Sequence, residues 1–371
     1  MSDPDQTHRQ LIEAAVKLLN EEYEASPLFN EYINGDEPFR LGKVEFSKSK
    51  VLFWLDREAY EDERTAWEND ANQARHQEAA ELLRLNGSIV PFQDLIDAVV
   101  RSRIVPFIGA GLSKPIGMPL WGEALSLLLN RLPGADASTI SALIAVGNYL
   151  EAAQLLADHD YVQTTNFIRT TYRAQKINLV GPMLQLPRFA KGCIVTTNFE
   201  DAIEKVYELN GVEFKAYMHG TQDHNFFQRM VRGDRCLLKL HGDAENDATH
   251  ILTKAQYTNA YGDPFDFRKP LPKALRQIYI SQSLLFLGCS LDQDWTLELF
   301  KRAKQQDEYQ IPSHYAILPE PIDAQKKQQK SRTLLELNIQ PIWYPDGEHE
   351  FVEKLLQLIV DVTEKRVTFE G

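Results

Sequence analysis

The chain has 371 residues, 43% of them hydrophobic and 25% charged, enough to bury a substantial core in one large or two smaller domains. Its formal net charge of −13, from 40 basic and 53 acidic side chains, argues against broad electrostatic capture of nucleic acid or an anionic membrane. A small anionic ligand stays open, because a nest of backbone N–H groups holds phosphate even on an acidic surface.

No apolar stretch is long enough to span a bilayer, and the N-terminus is polar without a signal-peptide core, so a cytoplasmic protein is expected. Cys193, Cys236 and Cys289 are far apart and each lies in an apolar run, which reads as buried reduced thiols. There is no Cys-x-x-Cys pair to suggest a structural zinc.

Up to about residue 90 the chain is polar and dense in charge. Leu11, Ile12, Ala15, Val16 and Leu19 recur at helical spacing within 8–22. Phe39 to Leu55 reads as two short strands around a Lys-Ser-Lys turn. Residues 57–85 are heavily charged with widely spaced apolar positions, as in a helix with one narrow packed seam or a partner-facing surface. No internal repeat or low-complexity tract is visible.

From about Pro91 onward, apolar strand-like runs alternate with helical patterns. Strands are expected at 103–108, 192–197, 236–240, 283–289, 314–318 and 339–344. Helices are expected between them, among others at 120–132, 147–158, 200–209, 294–306 and 349–362. Ser283-Leu284-Leu285-Phe286-Leu287 is apolar without alternation, as a strand covered on both faces must be. The expected fold class is therefore α/β: a Rossmann-like parallel sheet with helices on both faces, plus a helical insert and an N-terminal accessory region. In such sheets ligands gather beyond the carboxyl ends of the strands.

Four motifs fall at strand ends. In Val105-Pro106-Phe107-Ile108-Gly109-Ala110-Gly111-Leu112-Ser113, followed by Gly117-Met118-Pro119, an apolar run breaks into two glycines and then a hydroxyl. Such a turn brings bare backbone against a phosphate, where a Cβ would push the ligand away. In Ile194-Val195-Thr196-Thr197-Asn198-Phe199-Glu200-Asp201 a strand runs into polar residues and a helix; Thr196 or Thr197 is placed to cap it and Asn198 to reach into a crevice. Cys236-Leu237-Leu238-Lys239-Leu240-His241-Gly242-Asp243 ends a strand on a histidine. Leu285-Phe286-Leu287-Gly288-Cys289-Ser290-Leu291-Asp292 again gives strand, glycine and hydroxyl.

These motifs, in this order, resemble the sirtuin NAD-binding core over roughly residues 96–345. The resemblance rests on Gly109, Ala110, Gly111, Ser113, Gly117 and Pro119; on Thr196, Asn198 and Glu200; on His241 and Gly242; and on Gly288 and Ser290. It is closer to the sirtuin-like domains of bacterial anti-phage defence proteins, where Thr-Thr-Asn and Leu-x-Gly-x-Ser-Leu are usual. Deacylating sirtuins carry a four-cysteine zinc module before the Gly-x-Ser strand, whereas residues 244–282 here contain no cysteine. Trp121 stands where deacylating sirtuins usually have Phe followed by Arg. The first ninety-odd residues match nothing in the sirtuin core.

The resemblance implies an NAD+ hydrolase that cleaves the nicotinamide–ribose bond, with NAD as substrate and no zinc, acting in anti-phage defence by NAD depletion. Asn198 and His241 are the implied catalytic pair. Gly109, Ala110, Gly111 and Ser113 would hold the pyrophosphate beside Thr196, Gly288 and Ser290 would border the adenosine half, and Glu200 or Asp201 would read the carboxamide. Residues 96–371 would be the catalytic domain and 1–95 an accessory or oligomerisation region. A homo-oligomer, and a HerA-type ATPase or phage-derived activator, are the implied partners. An NAD-dependent deacylase and a non-catalytic NAD or ADP-ribose sensor remain the alternatives. A dehydrogenase fails on spacing, since Lys114 stands where the dinucleotide fingerprint needs its third glycine.

Overall fold

The computed structural model describes residues 4–36, 38–173, 178–222, 226–263, 265–292, 295–306 and 310–369. The chain divides into two compact units, Met1–Gln77 and Glu78–Gly371. The first contains α1 (Pro4–Glu24), α2 (Pro27–Asn34), β1 (Phe39–Leu41), β2 (Val44–Phe46), α3 (Lys48–Leu55) and the start of α4 (Arg57–Leu85). Its small core is aromatic: Phe29, Phe53 and Tyr60, with Tyr23, Leu52 and Trp67 packed against them. The Tyr60 hydroxyl donates to Asn30 Oδ1 at 2.7 Å, which satisfies two polar groups inside that core.

The hairpin sits earlier than the sequence suggests. Its turn is at Gly42, which adopts φ +63°, and Phe39 pairs with Phe46. Lys48-Ser49-Lys50, expected as the turn, instead opens α3, with Ser47 accepting the N–H of Lys50 at 3.4 Å. The β-prone Val51-Leu52-Phe53-Trp54 run is drawn into a helix because that geometry sends Phe53 into the aromatic core.

The second unit is organised by seven parallel strands in the order β5-β6-β4-β3-β7-β8-β9. It begins with α5 (Ile89–Val100), β3 (Ile104–Ile108) and a 3-10 segment over Ala110–Ile116. Next come α6 (Trp121–Leu129), α7 (Ala137–Ala145), α8 (Tyr149–His159) and α9 (Tyr161–Tyr172). These are the helical insert. After the short α10 (Leu186–Phe189) come β4 (Ile194–Thr196), α11 (Ala202–Leu209), β5 (Ala216–His219), α12 (Phe226–Val231) and β6 (Cys236–Lys239). The chain then adds α13 (Lys254–Tyr261), α14 (Pro270–Ser281), β7 (Ser283–Leu287), α15 (Trp295–Gln306), β8 (His314–Pro319), α16 (Ala324–Glu336), β9 (Ile339–Tyr344) and α17 (Glu350–Thr363). Residue 294, expected to start α15, lies outside the described residues.

Two apolar clusters cover the two faces of the sheet. One joins α5, α10, α11 and α17 to Ile108, Ile194, Leu237, Leu285 and Leu287. The other joins α12 to α16 to Phe107, Val195, Leu238, Leu284 and Phe286. Neighbouring residues of one strand thus serve opposite clusters, which is why these strands are apolar throughout. The chain builds the β4 side after β3 and then crosses back to add β7, β8 and β9. This reversal beside β3 is where a parallel sheet opens a crevice at its carboxyl edge.

Candidate active site

Glycines bring the carboxyl ends of β3 and β7 into backbone contact. Gly109 N–H donates to the Leu287 carbonyl at 2.9 Å, and Gly111 N–H to the Gly288 carbonyl at 2.9 Å. A Cβ on Gly109 would lie 2.5 Å from Gly288 O, and one on Gly288 would lie 2.2 Å from Leu112 N. Gly288 also adopts φ +68°, a left-handed conformation that suits glycine. The missing Cβ atoms are therefore demanded by protein packing against protein. With two N–H groups of the turn engaged by β7, neither Gly109 nor Gly111 has that donor free for a ligand in this conformation.

Asn198, just beyond β4, is buried inside a closed polar cluster. Its amide Nδ2 donates to Ser113 Oγ at 2.9 Å, to Glu200 Oε1 at 3.0 Å and towards the Gly109 carbonyl at 3.3 Å. Ser113 Oγ in turn donates to Glu200 Oε1 at 2.5 Å. Among the described residues, the partner of Asn198 Oδ1 is the Thr197 hydroxyl, at 3.4 Å. That oxygen is the face of the amide left to accept a hydrogen bond from a ligand. Neither threonine caps α11: Thr196 Oγ1 donates to the Ile108 carbonyl at 3.1 Å and accepts the Asn198 N–H at 3.1 Å, so it fixes the β3–β4 junction. The cap position belongs to Asp201.

Glu200 and Asp201 face different ways. Glu200 is buried with Asn198 and Ser113, while Asp201 is part-exposed and pairs with Lys205 at 3.0 Å. The sequence alone could not choose between adjacent acids. Ser290 is exposed beyond β7, and its carbonyl accepts Lys330 Nζ at 2.7 Å. It stands apart from the buried cluster. Ala110 begins the 3-10 segment that carries Ser113 inward.

His241 follows β6 and is only 5% exposed. Its ring lies among Trp121, Phe199 and Tyr257, with centroids 5.9, 6.3 and 5.2 Å away. Burial lowers its pKa to about 4, and the Thr197 backbone opposes that shift only in part. The ring is therefore neutral near pH 7. Nε2 is 2.7 Å from the Tyr257 hydroxyl, while among the described residues Nδ1 has no partner of hydrogen-bonding geometry. The backbone beside it is locked: Ile251 N–H donates to the His241 carbonyl at 2.9 Å, and Gly242 at φ +94° packs against Thr249.

Lys239, the last residue of β6, escaped the sequence reading. It is fully buried, yet its Nζ meets the Glu200 carbonyl at 3.0 Å, Glu204 Oε1 at 3.0 Å and Asp243 Oδ2 at 2.7 Å. All three ammonium protons have acceptors, and the loop bearing Glu200 is tied to the one bearing His241. Burial disfavours the charge on Lys239, but the two carboxylates outweigh it and hold its pKa above the usual lysine value. The only sequence signal was a charged residue inside an apolar strand. The helical insert closes over the same loops, since Leu125, Leu128, Phe167 and Tyr172 pack with Phe199, Ala244 and Leu252.

Among the described residues no group of three or more His, Cys, Asp and Glu side chains is placed to hold a metal ion, and no helix is long and apolar enough to cross a membrane.

Residues 192–342 match the SIR2-like domain family. The NAD(+) hydrolase ThsA of Bacillus cereus (strain MSX-D12) is 24% identical over 233 residues, covering 61% of this chain and 45% of that protein. The NAD(+) hydrolase ThsA of Acinetobacter baumannii (strain 532279) is 28% identical over 235 residues, covering 60% of this chain and 44% of that protein. The chain thus spans somewhat under half the length of these curated relatives. A solved structure of a Sir2 homologue mutant in complex with ADP-ribose is 14% identical, with a TM-score of 0.37, covering 74% of this chain and 96% of that one.

Proposed function

We propose that this chain hydrolyses NAD+ at the nicotinamide–ribose bond, releasing nicotinamide and ADP-ribose. The reading is carried by an ordered amide at Asn198 and a neutral imidazole at His241, which follow the carboxyl ends of the neighbouring strands β4 and β6. The two NAD(+) hydrolase relatives support it.

Nicotinamide in NAD+ is already cationic and departs neutral, so no general acid and no second carboxylate are required. The protein must hold the ribose, tolerate an oxocarbenium-like transition state and deliver water. Asn198 Oδ1 accepts a hydrogen bond from that water or from a ribose hydroxyl. Ser113 and Glu200 engage Nδ2 and so leave Oδ1 as the accepting end of the amide. His241, uncharged at neutral pH, takes up the proton. Gly109, Ala110, Gly111 and Ser113 border the pyrophosphate beside Thr196, and Gly288 with Ser290 the adenosine half. Glu200, the buried acid of the adjacent pair, is the better placed to meet the carboxamide.

The test is product analysis with NAD+ alone and with NAD+ plus an acetylated peptide. Nicotinamide and ADP-ribose without peptide are expected. Nicotinamide released only with peptide would make the chain a deacylase, and binding without turnover a sensor; either overturns the proposal.

The reading extends to anti-phage defence by NAD depletion, supported by the sirtuin-like domains that these motifs resemble. An NAD hydrolase must be restrained in a healthy cell, and we assign that restraint to residues 1–95, outside the catalytic domain at 96–371. The support is α1, where Leu11, Ile12, Val16, Leu18 and Leu19 are substantially exposed. Such a stripe suits a second copy of the chain, and a HerA-type ATPase or phage-derived activator is the further partner class. Ile12→Glu with Val16→Glu should lower the mass measured by light scattering. An unchanged mass would remove α1 from assembly.

A further inference from the structure

A neutral imidazole has one N–H and one lone pair, and the partner of either nitrogen decides the role of the other. At His241 the partner of Nε2 is the Tyr257 hydroxyl at 2.7 Å. A phenol is a strong hydrogen-bond donor, and donation to Nε2 requires a lone pair there. This contact places the ring proton on Nδ1 and leaves Nε2 as the lone-pair nitrogen.

Tyr257 is held firmly enough for this task. It lies on α13, whose first turn is closed by a capping box: Thr253 Oγ1 accepts the Gln256 N–H at 3.3 Å, and Gln256 Oε1 accepts the Thr253 N–H at 3.0 Å. Its ring stacks on Tyr261 at 5.5 Å and meets the edge of Trp295 at 5.4 Å. It is 7% exposed, a depth at which a phenol needs a polar partner.

We propose that Tyr257 is the proton relay to His241: it fixes Nε2 as the proton-accepting nitrogen and passes it the phenolic proton as water or a ribose hydroxyl replaces that proton. The step balances: one O–H bond of the ligand breaks, one phenolic O–H bond is broken and remade, and one N–H bond forms. The ligand oxygen keeps its electron pair for the ribosyl carbon, and the imidazole becomes imidazolium. This inference rests on the reading of His241 as the base of NAD hydrolysis.

The surroundings make the pH dependence specific. Trp121 from α6 and Phe199 from the loop after β4 bring no charge to the ring. From α13 the titratable group is Tyr257 itself. His250 lies behind Phe199, and on His241's own segment Lys239 and Asp243 are bonded to each other at 2.7 Å. Glu200, on the loop after β4, is engaged by Ser113 and Asn198.

The experiment uses the full chain and Tyr257→Phe, which keeps the ring and removes only the hydroxyl. Loss of a donor to Nε2 weakens the neutral ring, so the acid limb of kcat/KM should move to higher pH. Loss of an oriented base should lower kcat by about tenfold to a hundredfold, within the span known for general bases, while KM for NAD+ changes less than about threefold. Long-range proton–nitrogen spectra of histidine-labelled protein, assigned against His241→Gln, read the tautomer without any activity. The parent should show neutral His241 protonated on Nδ1, with Tyr257→Phe changing that pattern. A parent ring protonated on Nε2, or an unchanged acid limb and kcat in Tyr257→Phe, would overturn the role of Tyr257. A parent that releases no nicotinamide would overturn the hydrolase reading instead, and the spectra would still judge the tautomer.

Discussion

The adjacent acids Glu200 and Asp201 are the sharpest contrast at the residue scale. One holds Asn198 inside the cluster, and the other occupies the N-cap position of α11 without a side-chain capping bond and pairs with Lys205 near the surface. Glu200→Gln should therefore lower nicotinamide release by at least about tenfold through a misplaced amide, and Asp201→Asn should leave it within about twofold. Equal losses in both variants would refute this division. Lys239 makes a different kind of prediction. Replacing it with Met leaves Glu204 and Asp243 without their cation, and breaking a buried ion pair from one side costs about 3–5 kcal/mol. Urea denaturation should show that loss, with Glu204→Gln recovering part of it in the double variant; a Lys239→Met protein as stable as the parent would contradict the clamp. Sequence reasoning could name Asn198, His241 and Glu200 because strand-end polar residues after apolar runs stand out. Lys239 and Tyr257 stayed hidden, since Glu200 and Glu204 lie 39 and 35 residues from Lys239, His241 lies 16 from Tyr257, and only the fold brings them together.

Among the elements, the β3 and β7 ends depend on each other through glycine. Gly288→Ala would place a methyl on the Leu112 backbone and force a left-handed residue, so it should destabilise the fold by at least about 2 kcal/mol. Thermal denaturation reads this directly, and a variant melting with the parent would mean that the two turns are not packed as described. The central strands were legible because burial on both faces gives uninterrupted apolar runs, as in β7 and β8. β5 was not: it is a four-residue edge strand, and the alternating exposure of Ala216-Tyr217-Met218-His219 gives too short a pattern to read. The hairpin in the N-terminal unit was placed one turn late, because β-branched and aromatic residues in α3 resemble a strand until their aromatic core is known.

For the whole molecule, three buried histidines whose pKa burial lowers, His241, His250 and His314, couple stability to pH. Burial lowers His241 to about 4, and His314, stacked on Tyr279 and accepting the Leu284 N–H, to about 3. Both lie below the ordinary value of 6.5, so the unfolded chain binds more protons than the native one in the interval between. The stability they contribute is complete above about pH 6.5 and falls as pH drops towards 4, by about 1.4 kcal/mol per pH unit for each neutral ring. Urea midpoints measured from pH 7 to 4.5 should decline accordingly, and His314→Gln should show a shallower slope. A flat parent profile would mean that these rings are not held neutral.

The central claim is that Asn198 and His241 act together on the ribosyl carbon of NAD+. It is tested most directly by the rate of nicotinamide release from NAD+ alone, compared between the parent and the Asn198→Ala and His241→Ala variants, each checked for native melting. A general base is worth about 10²–10⁴ in rate, so His241→Ala should lose that much and Asn198→Ala a comparable share, with both proteins still folded. Turnover at the parental rate in both folded variants would contradict the account.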